Sequence, residues 1–214
     1  MLINPNSNRI FTDLMNGNVE HLRAGGACKI DCVTLTGTPA GIDTQRDIDS
    51  VVEPICKLVS TESAKVDAFV IGCFADTGLF SAREMTSKPV LGLCQAGLST
   101  ALNMGERFGV ISTSTESRNA DLRLVRSYGL LERCVGFEPV EIPVADIPTS
   151  AAAKGCVLEA ASRLKALGAD VLVLGCAGMA PYTSLLRETF KIPVVDPTVS
   201  AVAMAIGIVA MARQ

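Results

Sequence analysis

Short runs of apolar residues recur along the chain, and a Gly, Pro, Asn or Asp follows each run before a segment of helical character. The runs are apolar at consecutive positions, whereas a strand with one face in water would alternate. Such runs are typical of parallel strands that are covered on both faces. Eight strands are predicted: Leu2–Ile3, Lys29–Leu35, Ala68–Gly72, Val90–Leu93, Gly109–Ser112, Val135–Ile142, Val171–Gly175 and Val194–Asp196.

Helical segments fit between these strands, and the alternation predicts an α/β fold built on parallel sheets. The last helical segment is apolar throughout, but it is shorter than the ~20 residues that span a bilayer, so a buried helix is predicted there. Eight helices are predicted: Arg9–Arg23, Asp47–Ser63, Leu79–Met85, Leu98–Glu106, Glu116–Tyr128, Ala151–Leu167, Tyr182–Phe190 and Val199–Ala212.

The chain also contains an internal repeat. Residues 66–73, an Asp followed by a short apolar strand and Gly-Cys, have a counterpart at 169–176, an offset of 103 residues. Downstream, the Arg-Glu and Pro-Val pairs of residues 81–91 recur in residues 185–195. The second copy begins near Gly105. Duplicated α/β units of this size face each other across a cleft, and ligands bind at the carboxyl ends of parallel strands.

Two cysteines occupy equivalent places in the repeat. Cys73 and Cys176 each follow a buried strand directly and precede a turn that contains glycine, so we expect one thiol on either side of the cleft. Amide N–H groups of the turns stabilise a thiolate, which predicts a lowered thiol pKa. A thiolate and a thiol that face each other can invert a C–H centre by removing a proton from one face and returning one to the other. The alternative interpretation is that both are buried structural thiols.

Composition limits the other function classes. The formal net charge is −3, with 19 Lys and Arg against 22 Asp and Glu spread singly, so no basic patch for nucleic acid or an anionic membrane is expected. The start of the chain has neither a cationic region nor a long apolar stretch, which predicts no export signal and a cytoplasmic location. Eight cysteines are then expected as thiols. With one histidine, no metal site is predicted.

Three runs carry a family resemblance: Ile3–Ser7, Gly72–Leu79 and Gly175–Ala180. They resemble the hydantoin and allantoin racemases of the aspartate/glutamate racemase superfamily, and the resemblance covers nearly the whole chain. It implies a cofactor-independent racemase in which Cys73 and Cys176 alternate as acid and base on a small-molecule substrate. It also implies a homo-oligomer.

The resemblance implies a division of the chain as well, because in such folds the last helix packs back onto the first half. We therefore predict two pseudo-symmetric, duplicated parallel-sheet α/β halves with the active site in the cleft between them. The first half comprises residues 1–97 with 198–214, and the second comprises residues 98–197.

The residues after each cysteine indicate the substrate. Glutamate and aspartate racemases typically have Asn-Thr after the first cysteine and Thr-His or Thr-Glu after the second. This chain has Phe74-Ala75 and Ala177-Gly178, an apolar wall that suits a flat, neutral ring such as a 5-substituted hydantoin or allantoin. Removing the C5 proton gives an enolate, which needs hydrogen-bond donors. The candidate substrate-binding residues are Asn6, Ser7, Thr113 and Ser114 as donors, with Phe74, Ala177, Gly178 and Met179 as wall.

Three alternatives remain at this point. Maleate isomerases also carry two cysteines, and one of these adds covalently to a dicarboxylate. An amino-acid racemase acting on aspartate or glutamate would use the same fold. A binding module with inert, buried thiols would use the cleft without chemistry.

Overall fold

The computed structural model describes residues 1–24 and 28–212, and it contains two four-stranded parallel sheets. The strand orders are β2-β1-β3-β4 and β6-β5-β7-β8, so the second sheet repeats the topology of the first. The duplicated α/β fold and its eight strands are confirmed. The strands are Leu2–Asn4 (β1), Cys32–Thr34 (β2), Phe69–Ile71 (β3), Val90–Gly92 (β4), Phe108–Ser112 (β5), Cys134–Pro139 (β6), Val171–Leu174 (β7) and Val194–Val195 (β8).

Helices connect the parallel strands, and the described residues also form four short 3-10 segments. The predicted helix Asp47–Ser63 is two helices that meet at Val51, and the predicted helix Leu98–Glu106 begins earlier, at Leu93. The α-helices are Arg9–Asn18 (α1), Gln45–Ser50 (α2), Val52–Glu62 (α3), Leu79–Glu84 (α4), Leu93–Ala101 (α5), Thr115–Ser127 (α6), Ala153–Ala166 (α7), Thr183–Phe190 (α8) and Pro197–Ala212 (α9).

The early start of α5 has a tertiary cause. The carboxylate of Asp76, in the turn after β3, accepts hydrogen bonds from the backbone N–H of Cys94 at 2.8 Å and of Gln95 at 2.9 Å. It thereby satisfies N–H groups that the first turn of a helix leaves without partners. Gly92 makes room for this cap, because a Cβ atom there would lie 2.2 Å from Oδ1 of Asp76. The cap comes from 18 residues away in sequence, where no local pattern reveals it.

Helix α9 follows β8 as α5 follows β4, but its cap is local. Oδ1 of Asp196 accepts from the N–H of Thr198 at 2.8 Å and of Val199 at 3.2 Å. Aligning the Pro-Val pairs of the repeat puts Asp196 where the first copy has Gly92. The two copies therefore cap equivalent helices with carboxylates from different positions.

Helices α5 and α9 pack against each other, and α9 also contacts β3 and β4. The predicted boundary between residues 97 and 98 falls inside α5, and the division into 1–97 with 198–214 and 98–197 stays a prediction. Residues 213 and 214 of that division lie outside the described residues. Within the described ranges, no helix is both long and apolar enough to cross a membrane.

Candidate active site

A glycine ends each of the two strands that lead to a repeat cysteine. The N–H of Gly72 donates to the Ile3 carbonyl at 2.7 Å, and the N–H of Gly175 donates to the Ile111 carbonyl at 2.7 Å. A Cβ atom would lie 2.8 Å from that oxygen at Gly72 and 2.5 Å from it at Gly175. Only glycine allows this approach, so each Gly-Cys pair fixes its thiol at the carboxyl end of a sheet.

The two thiols line the same cavity. This cavity has a volume of about 50 Å³ and lies where the carboxyl ends of β3 and β7 meet. Cys176 is buried, and Cys73 is partly exposed. The structure thus brings together the two cysteines that the repeat selects. The other lining residues are Asn6, Phe11, Ile42, Asp43, Ile48, Gly72, Phe74, Ala75, Thr113, Ser117, Ala120, Asp121, Val144, Gly175 and Ala177.

Four predicted substrate-binding residues lie on the cavity wall: Asn6, Phe74, Thr113 and Ala177. Asn6 is buried, and its Oδ1 accepts from the N–H of Asn8 at 3.0 Å. Its Nδ2 makes no hydrogen bond to any other described residue, so this amide is available as a donor. The Thr113 hydroxyl donates to Oγ of Ser117 at 3.3 Å, a long hydrogen bond.

The other four predicted residues, Ser7, Ser114, Gly178 and Met179, are not among the described lining residues. Ser7 is exposed, and the hydroxyl of Ser114 caps α6 by accepting from the Ser117 N–H at 3.1 Å. Met179 is fully buried in the core. Gly178 instead contacts the Cys176 thiol, since its N–H donates a hydrogen bond of 3.4 Å to Sγ of Cys176.

Burial raises the pKa of Cys73 to about 11 and the pKa of Cys176 to about 12. The Thr77 side chain and the Ala75 backbone lower the first pKa, and the Gly178 N–H lowers the second. The expectation of a lowered thiol pKa is wrong, because the loss of solvation outweighs these donors. Both thiols are therefore protonated at neutral pH.

Two carboxylates in the cavity have no counterpart in the sequence prediction. Asp121, on α6, is 6% exposed, and burial raises its pKa to about 7. Asp43, in the loop before α2, accepts from the Val144 N–H at 2.9 Å, and burial raises its pKa too. Asp43 carries no sequence signal. Asp121 has one, since it stands one helical turn before the buried Val125 and so on the apolar face of α6.

Positive charge is missing from the described cavity wall: none of its lining residues is Lys, Arg or His. No group of three or more His, Cys, Asp or Glu side chains in the described ranges is arranged to hold a metal ion. The cavity therefore offers two thiols, amide and hydroxyl donors, carboxylates and apolar surface. This set suits proton transfer on an uncharged molecule.

The two duplicated α/β halves each bring one thiol to a shared cavity. This arrangement defines the class of protein, which is a racemase-type fold. The chain belongs to the Asp/Glu/Hydantoin racemase family, whose model matches residues 1–205. It is 34% identical over 210 residues to the hydantoin racemase of Rhizobium meliloti, covering 95% of this chain and 86% of that protein. It is 32% identical over 222 residues to the hydantoin racemase of Pseudomonas sp. (strain NS671), covering 100% and 86%.

The solved structure of allantoin racemase from Klebsiella pneumoniae is similar as well. It matches with a TM-score of 0.93 and 27% identity, covering 99% of this chain and 87% of that one. The protein is therefore a racemase, which is an isomerase.

Proposed function

We propose that this racemase inverts C5 of 5-substituted hydantoins, with allantoin as a close variant, by proton transfer between Cys73 and Cys176. The observation that carries the proposal is that the two repeat-related thiols share one cavity. The C5 proton of such a ring lies next to a carbonyl, so its removal spreads charge onto oxygen. A pair of thiols supplies both the base and the acid without a cofactor.

The reaction begins when one of the two thiols gives its proton to water. The resulting thiolate takes the C5 proton and becomes a thiol again, while the C–H electron pair forms an enolate. The opposite thiol then gives its proton to the other face of C5 and becomes a thiolate. The two cysteines thus end with exchanged protonation states, ready for the other enantiomer. A high thiol pKa makes each thiolate a strong base once it forms, which suits a weakly acidic C–H group.

The enolate oxygen needs donors, and the described wall supplies two. Nδ2 of Asn6 has no other hydrogen-bond partner among the described residues, and the Thr113 hydroxyl makes only one long hydrogen bond. We assign them to the carbonyl that carries the developing charge. Phe74 and Ala177 form the apolar surface beside the ring, and the Gly178 N–H stabilises the Cys176 thiolate.

Polarimetry together with proton NMR of C5 in D₂O, with Cys73→Ser and Cys176→Ser, tests the mechanism. We expect each variant to lose racemisation, while each retains slow deuterium exchange at C5 of one enantiomer only. Cys156→Ser, which removes a partly exposed thiol outside the cavity, is the matched control and keeps full activity. Full racemisation in either cavity variant would refute the two-base mechanism.

Substrates that carry carboxylates suit this cavity less. A dicarboxylate or an acidic amino acid needs a cation, and the described lining residues provide two carboxylates instead. Solvent deuterium separates the chemistries further. The two-thiol reaction places deuterium at C5, whereas covalent addition to maleate gives fumarate without requiring that exchange.

A further inference from the structure

The carboxylates of the cavity come from different repeats of the chain. Asp43 precedes α2, beside the first sheet, whereas Asp121 lies on α6, beside the second. Each acts on the cysteine of the other sheet: Asp121 raises the pKa of Cys73, and Asp43 raises the pKa of Cys176. The cavity therefore has one carboxyl group that acts on each thiol.

Asp121 is poorly partnered for so buried a group. The Ser117 hydroxyl, one turn earlier on α6, is its hydrogen-bond partner. That same hydroxyl donates to the Ser114 carbonyl at 2.9 Å, and it has one hydrogen to give. A carboxylate accepts several hydrogen bonds, and an unsatisfied buried one is costly. The side chain of Asp121 therefore leaves acceptor capacity directed at the cavity that it lines.

Asp43 has capacity left as well. Its Oδ1 accepts from the Val144 N–H, while no described residue donates to its Oδ2. Asp47, Asp146 and Glu116 add negative charge around it. This side of the cavity therefore repels an anion and attracts an N–H donor.

We infer that Asp121 and Asp43 determine specificity by accepting hydrogen bonds from the ring N–H groups of an uncharged imide-urea and by excluding its ring-opened carboxylate form. The inference rests on the proposed function. An imide-urea ring has N–H groups on both sides of its urea carbonyl, and two separate carboxylate acceptors can bind them. Ring opening by water turns one ring carbonyl into a carboxylate, which would face two carboxylates with no cation among the described lining residues. Discrimination therefore uses both attraction and repulsion.

The test compares a 5-substituted hydantoin with the N-carbamoyl amino acid that its hydrolysis gives. The KM of the hydantoin and the competitive inhibition constant of the acid are measured for the wild type and for Asp121→Asn at pH 8, above the pKa of about 7 of Asp121. The asparagine keeps the shape and removes the charge. We expect the ratio of inhibition constant to KM to fall by about tenfold or more, through weaker hydantoin binding and tighter acid binding.

Glu188→Gln is the matched control, because it removes an exposed carboxylate of α8 that is neither a described lining residue of the cavity nor one of the charges around Asp43. It is expected to leave the ratio unchanged. The same ratio is measured for Asp43→Asn, and this variant replaces Asp121→Asn if Asp121→Asn does not fold. An unchanged ratio in a folded, active variant overturns this inference and leaves the proposed function standing. If the wild type neither binds nor racemises any hydantoin, the proposed function fails and this inference fails with it.

Discussion

The hydroxyl of Tyr128, where α6 ends, donates a hydrogen bond of 2.7 Å to Oδ2 of Asp76, in the turn that follows Cys73. A parallel contact exists elsewhere: Nδ2 of Asn18, where α1 ends, donates at 2.6 Å to Oδ2 of Asp196. Asp76 caps α5, which follows the last strand of the first sheet, and its donor Tyr128 ends α6, the first helix beside the second sheet. Conversely, Asp196 caps α9, which follows the last strand of the second sheet, and its donor Asn18 ends α1, the first helix beside the first sheet. These two contacts tie the repeated units together, and the first holds the Cys73 turn in place.

Tyr128→Phe removes the donor and keeps the ring. Because a hydrogen bond to a buried carboxylate is lost, we expect the free energy of unfolding to fall by about 1–3 kcal/mol in urea denaturation. Tyr182→Phe is the control, since the Tyr182 hydroxyl makes no hydrogen bond to any described residue, and it should cost less than about 0.5 kcal/mol. Equal losses in both variants would contradict the assignment.

Gly92→Ala tests the close approach at the start of α5. The new Cβ atom would meet the Asp76 carboxylate at 2.2 Å, so the cap must move, and we expect a loss of at least about 2 kcal/mol. Gly207→Ala, on exposed helical surface of α9 with no atom within 4 Å, should instead be neutral or stabilising by up to about 1 kcal/mol. Thermal unfolding followed by circular dichroism distinguishes the two, and a stabilising Gly92→Ala would refute the cap.

Asp121 makes stability depend on pH. Its folded-state pKa of about 7 lies above its ordinary value of 3.8, so the unfolded chain loses this proton first. Its contribution to stability is thus fully present below about pH 4 and is lost as the pH rises through 7. Asparagine does not ionise, so Asp121→Asn removes this pH dependence. The free energy of unfolding of the variant minus that of the wild type should therefore be about 2–4 kcal/mol larger at pH 8 than at pH 4. Urea denaturation at both pH values measures this difference, and a difference that does not change with pH would contradict the prediction.

The cavity thiols should resist alkylation near neutral pH, because the thiolate is the nucleophile. Burial raises the pKa of Cys73 to about 11 and of Cys176 to about 12. We therefore expect iodoacetamide labelling, followed by peptide mass mapping, to be slow at pH 8 and to reach Cys73 before Cys176 as the pH rises. Rapid labelling of both at pH 7 would show that the turn donors outweigh burial after all.

The sequence was sufficient for the fold and for the two thiols. Buried strands such as Val171–Leu174 are recognisable because both faces are covered, which makes consecutive positions apolar. The placement of Cys73 and Cys176 followed from the repeat, because equivalent strands end at equivalent edges.

The remaining features depend on tertiary structure. Helix α5 begins at Leu93 because Asp76 caps it from another loop, and no local signal marks that start. Asp43 faces the cavity only because its loop folds against Val144. The predicted direction of the thiol pKa shift is wrong for the same reason. Desolvation depends on packing from every side, whereas the donors of a turn are local in sequence.

The surroundings of the two thiols are unequal: the Gly178 N–H donates to Sγ of Cys176 at 3.4 Å, whereas Thr77 and Ala75 lie beside Cys73 and lower its pKa. A racemase nevertheless interconverts mirror images of equal free energy, so kcat/KM must be the same in both directions. Any advantage that one thiol has as a base must then be offset by the affinity for the enantiomer that it deprotonates. The asymmetry of the two turns should therefore appear as the same fold-difference in kcat and in KM between the two enantiomers, with no net preference for either hand at equilibrium.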